Sequence, residues 1–370
     1  MKNPTYTNLG DLENFLKAKN IKNVFIISGL NSYVKSGAKK IMKKFLLNKK
    51  TKFFFKKSTL PEINELKRII NSIKDFSPDL IIAIGGGSVI DYAKIANSLE
   101  LSKNVEQKII NSEYKLKNNF CDIVAIPTTA GSGAEVTSTA VIYLDNKKYS
   151  IEGEAIKPKY YFLIPSLLRN LKKTIKASSG FDAISQSIES LLSKRSTKSS
   201  IKFAKDSLNL SLKNYINFVK KPSKQNSLNM SYAAMLSGKA INISRTIAPH
   251  AVSYPFSSLF GISHGHAVSL TLNKFLKFNF ENYSKADCNF NLKLRYNLIF
   301  EAFNVKNINE LNEAINKIKS QVNLVSDFKK LGINIDKNYG RIIDGTNILR
   351  LKNNPIKLDE EDIKQILLKK

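Results

Sequence analysis

Residues 80–94 read LIIAIGGGSVIDYAK, and the fold turns on how that stretch is understood. Leu80 to Ile84 is a short apolar run, rich enough in β-branched residues to predict a buried strand. It stops at Gly85, Gly86 and Gly87, and a helical pattern begins at Ser88, with Ile90, Ala93 and Lys94 following. A strand that turns through glycines into a helix N-terminus builds an anion site. The missing Cβ atoms let a phosphate approach the backbone, and the unpaired N–H groups and helix dipole face it. Ser88 is expected to cap the helix and to donate to a phosphate oxygen. The spacing matches neither GxGxxG nor GxxxxGK[ST], so the strand before and the helix after carry the functional reading over that of a structural turn.

Working outward, residues 24–28 (VFIIS) predict a first strand, followed by a loop Gly29-Leu30-Asn31-Ser32. A second strand covers Lys52 to Lys56, and a helix opens near Pro61 with Ile63, Leu66, Ile70 and Ile73 along one face. After the glycine turn, another strand from Asp122 to Ile126 runs into PTTAGSGAEVTSTA, and Tyr160 to Ile164 ends the series. Strands alternating with helices predict a doubly wound parallel sheet, whose ligands bind beyond the strands' C-terminal ends. Past Pro165 the pattern changes. FDAISQSIESLL and NINELNEAINKIKSQV repeat at helical spacing, so residues 1–167 are expected to form an α/β domain and 168–370 an all-helical one.

The totals exclude several classes. The chain has 370 residues, 42% of them hydrophobic, which suits a globular protein with a sizeable core. No apolar run approaches the ~18 residues that cross a bilayer. The opening MKNPTYTNLGDLENF lacks the apolar segment of a secretory signal. Cys121 and Cys288 stand alone, outside any CxxC, so a reducing cytoplasm is the expected compartment. The net charge of +29 comes from 59 basic against 30 acidic residues. The lysines fall in scattered pairs amid Asn and Ile, which reads as a chain-wide bias; the alternative is a field drawing in an anionic substrate or an acidic partner.

Two further stretches invite chemistry. Thr128-Thr129-Ala130-Gly131-Ser132-Gly133 places three hydroxyls and two glycines beyond a strand, as an ordinary polar turn or as a second wall for a phosphate or nicotinamide. All three histidines, His250, His264 and His266, lie within 17 residues of each other, and imidazole suits proton transfer or metal ligation. Asp182 and Gln186 stand four apart on one helix face.

Taken together, IGGGSVIDYAK, IPTTAGSGAEVT, GFDAISQSIES and AINISRTIAPHAVSYPFSSLFGISHGHAVSL resemble the iron-containing alcohol dehydrogenase superfamily, over nearly the whole chain. The resemblance implies a dehydroquinate synthase-like architecture and hydride transfer between NADH or NADPH and an alcohol or aldehyde. It assigns Gly86, Gly87 and Ser88, with Asp91, to the cofactor. Thr128, Thr129, Ser132 and Thr137 go to the nicotinamide half, and Lys148 to a ribose contact. Many relatives carry an acidic residue just after the first strand; here Gly29 stands there with Asn31 and Ser32 following, which leaves room for the 2′-phosphate of NADPH.

The family's metal is held by an Asp, a His four residues on, and two later histidines. Asp182 keeps its place, Gln186 replaces the first His, Thr246 is taken as the next ligand position, and His264 remains. Two strong ligands are too few for the usual sites, so weak iron or zinc binding, or none, is expected. His250 then becomes the expected proton donor and His264 the group that orients the substrate. The Gln and the run INISRTIAPHAVSYP are most similar to a branch that reduces phosphonoacetaldehyde, a small anionic aldehyde. Another polyol dehydrogenase or sugar-phosphate lyase of this architecture, and a non-catalytic polyanion binder, stand as alternatives. The expected assembly is a homodimer, with no membrane and no specific nucleic acid as partner.

Overall fold

The computed structural model describes residues 5–6, 9–117, 119–145 and 147–369. The chain divides into two compact units, Met1–Leu171 and Lys172–Lys370.

The first unit holds eight strands among the described residues: β1 (Thr5–Tyr6), β2 (Asn23–Gly29), β3 (Lys50–Lys56), β4 (Leu80–Gly85), β5 (Asp122–Pro127), β6 (Thr139–Leu144), β7 (Lys147–Glu152) and β8 (Tyr160–Phe162). Six form one sheet in the order β1-β8-β5-β4-β2-β3, and every pairing in it is parallel. Central β4 is buried throughout, as a strand covered on both faces must be, which is why its sequence is a continuous apolar run. β3, at the edge, reads KTKFFFK and is the more exposed, its lysines guarding the open backbone. The Asp79 carboxylate accepts from the backbone N–H of Lys22 and Asn23 at 2.9 and 2.8 Å, tying the start of β2 to that of β4.

The helix Ile63–Phe76 buries Ile63, Leu66, Ile69, Ile70 and Ile73, the face its periodicity predicts. Three local features differ from expectation. The loop expected at Gly29–Ser32 is short-circuited: a helix, Leu30–Lys35, begins directly after β2. The helix after the glycine turn starts at Gly87 with Gly86 at its cap, so Ser88 lies inside the first turn and does not cap it. Between β5 and β8 the chain forms an antiparallel hairpin, β6–β7, outside the main sheet.

The second unit is helical. Its longest elements are Lys173–Leu192, Lys198–Lys220, Lys224–Ser244 and His264–Glu281, with the shorter helix Ala248–Phe260 before the last of them. Serines and glycines let the backbones approach: a Cβ on Gly180 would stand 2.5 Å from the Tyr215 ring. A second apolar cluster gathers Val252, Phe256, Phe275, Ile342 and Ile366 under the C-terminal helices. Pro255 sits inside the helix Ala248–Phe260, and the Ala251 carbonyl that it leaves without a helical donor accepts from Asn347 N–H at 3.1 Å. Among the described residues, no helix is long and apolar enough to cross a membrane.

Candidate active site

The first unit supplies a cradle. Gly85 has Val89 so close that a Cβ would lie 2.5 Å from its side chain, so only glycine lets β4 turn at once into the helix Gly87–Ser98. Beside the turn runs the segment that follows β5. A Cβ on Gly86 would meet Thr129 Oγ1 at 3.3 Å, and one on Gly87 would meet Ser132 Oγ at 2.8 Å. The glycines and the hydroxyl-bearing wall therefore face each other directly. Thr128 N–H donates to the Gly85 carbonyl at 2.9 Å, while Thr128 Oγ1 is buried with no hydrogen-bond partner. An orphaned hydroxyl beside a glycine-walled helix N-terminus fits a phosphate-bearing dinucleotide.

Asp91 and Thr137 lie further along the same surfaces. Burial pushes the Asp91 carboxyl up to about 6 against the pull of Lys94. Thr137 Oγ1 accepts from Lys94 Nζ at 2.9 Å. Gly29 ends β2, with Ser32 Oγ donating back to its carbonyl at 2.9 Å; Asn31 is exposed on the helix beside it. Lys148 is in the β6–β7 hairpin, opposite Tyr143, and its charge acts on Asp91.

The second unit supplies a buried ionic cluster. Asp182 and Gln186 occupy successive turns of Lys173–Leu192, and Gln186 Nε2 donates to Asp182 Oδ2 at 3.2 Å. Ser237 Oγ donates to Gln186 Oε1 at 2.9 Å. His250 is the third residue of Ala248–Phe260, with Nε2 3.2 Å from Asp182 Oδ1. Its Nδ1 makes a very short contact with Glu189 Oε1. Glu189, fully buried, also accepts from Ile247 N–H and His250 N–H at 2.9 and 3.3 Å, satisfying donors at that helix's N-terminus. Burial pulls the His250 imidazole down, but Glu189 and Asp182 outweigh it and hold it up at about 10. With the site bare, His250 is therefore an imidazolium between two carboxylates.

His264 opens the helix His264–Glu281, its Nε2 3.7 Å from Asp182 Oδ1 and its ring stacked on Tyr254. The approach depends on Gly265: a Cβ there would fall 1.9 Å from the Ser178 carbonyl oxygen and 2.9 Å from Asp182 Cβ. Asp182, His250 and His264 each offer a ligand atom, and these atoms lie within 4.8 Å of one another. One carboxylate and two imidazoles suit a divalent transition metal. Glu189 on the far nitrogen of His250 is the outer-shell partner that such a histidine ordinarily has.

The ligand count drawn from the sequence is thus corrected from two strong donors to three. Thr246 is outside the cluster; its carbonyl accepts from Asn353 Nδ2 at 3.1 Å. Glu189 was missed altogether, although it stands one turn past Gln186 in the same helix. His266 points elsewhere, its Nε2 2.8 Å from the Val325 carbonyl.

The profile described as iron-containing alcohol dehydrogenase matches residues 6–165, and that of the Fe-containing alcohol dehydrogenase family, C-terminal, matches 176–370. The chain belongs to the iron-containing alcohol dehydrogenase family. Within the family it is 32% identical over 232 residues to a phosphonoacetaldehyde reductase of Streptomyces viridochromogenes, covering 60% of this chain and 58% of that one. It is 28% identical over 228 residues to an alcohol dehydrogenase of Thermococcus barophilus, covering 59% of each. These matches span about three-fifths of the curated relatives' length. The fold matches a sulfoacetaldehyde reductase from Bifidobacterium kashiwanohense solved with NAD+, with TM-score 0.85 and 22% identity over 98% of this chain and 95% of that one. An iron-containing alcohol dehydrogenase from Thermotoga maritima matches with TM-score 0.82 and 23% identity, over 99% and 97%.

Proposed function

We propose that this member of the iron-containing alcohol dehydrogenase family reduces a short anionic aldehyde to its alcohol at the expense of NADH or NADPH. The observation that carries the reading is the presence in one chain of the glycine cradle with its orphaned Thr128 hydroxyl and of the Asp182–His250–His264 cluster. Gly86, Gly87, Thr129 and Ser132 bind and orient the dinucleotide. Asp182, His250 and His264 hold a divalent metal, which when bound polarises a carbonyl toward hydride. Glu189 fixes the His250 ring so that Nε2 faces the ligand position, and this ligand role replaces that of proton donor. His264, with a side chain 37% exposed, is the most open member and the one that a substrate meets first.

Phosphonoacetaldehyde is the leading substrate. The 32% identical relative bears that name, and a net charge of +29 favours an anion over a neutral aldehyde. Cofactor choice follows Gly29, which puts no carboxylate at the end of β2 and leaves NADPH acceptable at least as well as NADH. The test is NAD(P)H oxidation with phosphonoacetaldehyde and with butyraldehyde, before and after chelation. Expected are a higher kcat/KM for the phosphonate, loss of activity with the metal, and recovery on adding iron or zinc. Equal kcat/KM values would remove the anionic substrate, and full activity of the chelated protein would remove the metal.

A further inference from the structure

Among the described residues of the first unit, Lys94 is the most completely buried charge that the reaction does not use. It lies two turns into the helix Gly87–Ser98 and has no exposed surface. An ammonium has three N–H donors, and here each has an oxygen to meet: the Ala134 carbonyl at 3.1 Å, Thr137 Oγ1 at 2.9 Å and the Thr139 carbonyl at 2.6 Å. All three acceptors lie at the downstream end of the hydroxyl-bearing wall, from the short turn Ala134–Val136 to the start of β6. The wall is otherwise irregular. Its upstream end is tied by Thr128 N–H to the Gly85 carbonyl, and inside it Ala134 N–H reaches Ser132 Oγ at only 3.4 Å. Downstream, Val136 N–H reaches the Gly133 carbonyl at 3.1 Å and Gly153 N–H the Ser138 carbonyl at 2.9 Å, while Lys94 ties the segment to the helix Gly87–Ser98.

We propose that Lys94 is a positioning residue for the nicotinamide cofactor, fixing the Thr128–Thr137 wall against the helix whose first residues form the glycine cradle. This rests on the cofactor reading of that cradle. The geometry is narrow enough for a tie to matter: Ser132 Oγ lies 2.8 Å, and Thr129 Oγ1 3.3 Å, from where a Cβ on Gly87 or Gly86 would be. Movement of the wall inward closes the space that the glycines keep open, and movement outward takes the hydroxyls away from the phosphates. A leucine or methionine would fill the volume of Lys94 but give no direction to the three oxygens. A buried ammonium is costly unless fully paired, so its presence here calls for a use that apolar packing does not supply.

The charges around Lys94 make the tie responsive to pH. Asp91 on its own helix and Glu135 on the short turn face it with negative charge, and Lys157 opposes it; burial outweighs the two acids and brings Lys94 down to about 8. A neutral amine keeps two donors for three acceptors, so the tie weakens as pH rises through about 8.

The experiment measures NADH and NADPH binding by fluorescence, and Tm, for the wild type, Lys94→Met and Thr137→Val. The wild-type protein must bind cofactor; failure there overturns the cofactor reading itself. Given binding, Lys94→Met is expected to raise Kd at least tenfold, and Thr137→Val, which removes one of three acceptors, to raise it several-fold. Between pH 7 and 9 the wild-type Kd is expected to rise while that of Lys94→Met stays flat. If Lys94→Met does not fold, Thr137→Val and the wild-type pH profile decide. A lowered Tm with unchanged Kd and pH profile in either variant would make Lys94 a structural lysine and overturn the proposal.

Discussion

The sharpest consequence of the ionic cluster concerns protons rather than turnover. In the metal-free protein His250 is an imidazolium with a value near 10, Nδ1 against Glu189 and Nε2 against Asp182. A metal can take Nε2 only after its proton leaves. At pH 8 a histidine with the ordinary value is about 3% protonated, whereas one near 10 is about 99% protonated. Removing that proton at pH 7 costs on the order of 4 kcal/mol, which the metal must supply. Zinc binding to the chelated protein should therefore release about one proton per ion at pH 8, and apparent affinity should rise roughly tenfold per unit between pH 7.5 and 9.5. A site of unperturbed histidines is nearly flat over that range. Isothermal titration in two buffers of different ionisation enthalpy counts the protons. Ionisation of a metal-bound water would mimic the result, so Glu189→Gln is the control. Losing the carboxylate at Nδ1 should bring His250 down and flatten the slope, while a water proton would persist. A flat wild-type profile, or the same slope in Glu189→Gln, would refute the reasoning.

Other outcomes follow from single residues. Gln186→His places a third imidazole one turn from Asp182 and should raise zinc affinity at least tenfold, read by competition with a chelator. Gly265→Ala puts a methyl 1.9 Å from the Ser178 carbonyl, so the helix start must shift; a loss of about 1–3 kcal/mol in denaturant unfolding and weaker metal binding are expected. Gly29→Asp, whose Cβ would meet only Ser32 Oγ at 3.1 Å, should fold normally and shift the kcat/KM ratio toward NADH, and an unchanged ratio would place cofactor choice elsewhere. Gly87→Ala, with Ser132 Oγ at 2.8 Å from the new Cβ, should weaken cofactor binding with little effect on Tm.

Much of the first unit was legible because its strands are buried on both faces. VFIIS, LIIAI and DIVAI have no alternation to misread, and each is a parallel strand at or within a residue or two of where its apolar run suggests. The β6–β7 hairpin was not, for two reasons. Its run TAVIYL follows a polar loop whose last glycine, Gly133, is well upstream of the strand and gives no turn signal at its start, and its partner KKYSIE carries two lysines and a serine that dilute the strand signal. The short helix Leu30–Lys35 was hidden by its opening, since Gly-Leu-Asn-Ser reads as a loop until the backbone bonds from Ser36 and Gly37 close the turn.

The site divides along the same line. What one element carries, the sequence shows: the glycines, the hydroxyls after β5, and Asp182 with Gln186 one turn apart. What two distant elements make together, it does not. His250 becomes a ligand candidate because Glu189, 61 residues earlier, takes both its Nδ1 and its backbone N–H, setting the helix and the ring at once. Taking Thr246, four residues before His250, as a ligand position imposes the spacing of a single continuous helix on a stretch that is not one. Arg245, with φ of 62°, ends the helix Lys224–Ser244, and the next begins only at Ala248. Thr246 therefore lies in the break, where its carbonyl is used by Asn353, and His250 is the first residue past it able to turn a donor toward Asp182. The signal that could have found the third ligand was the buried-type Glu189 itself: an acid inside an otherwise apolar and small-residue helix, QSIESLL, requires a partner, and a histidine is the one that also ligates.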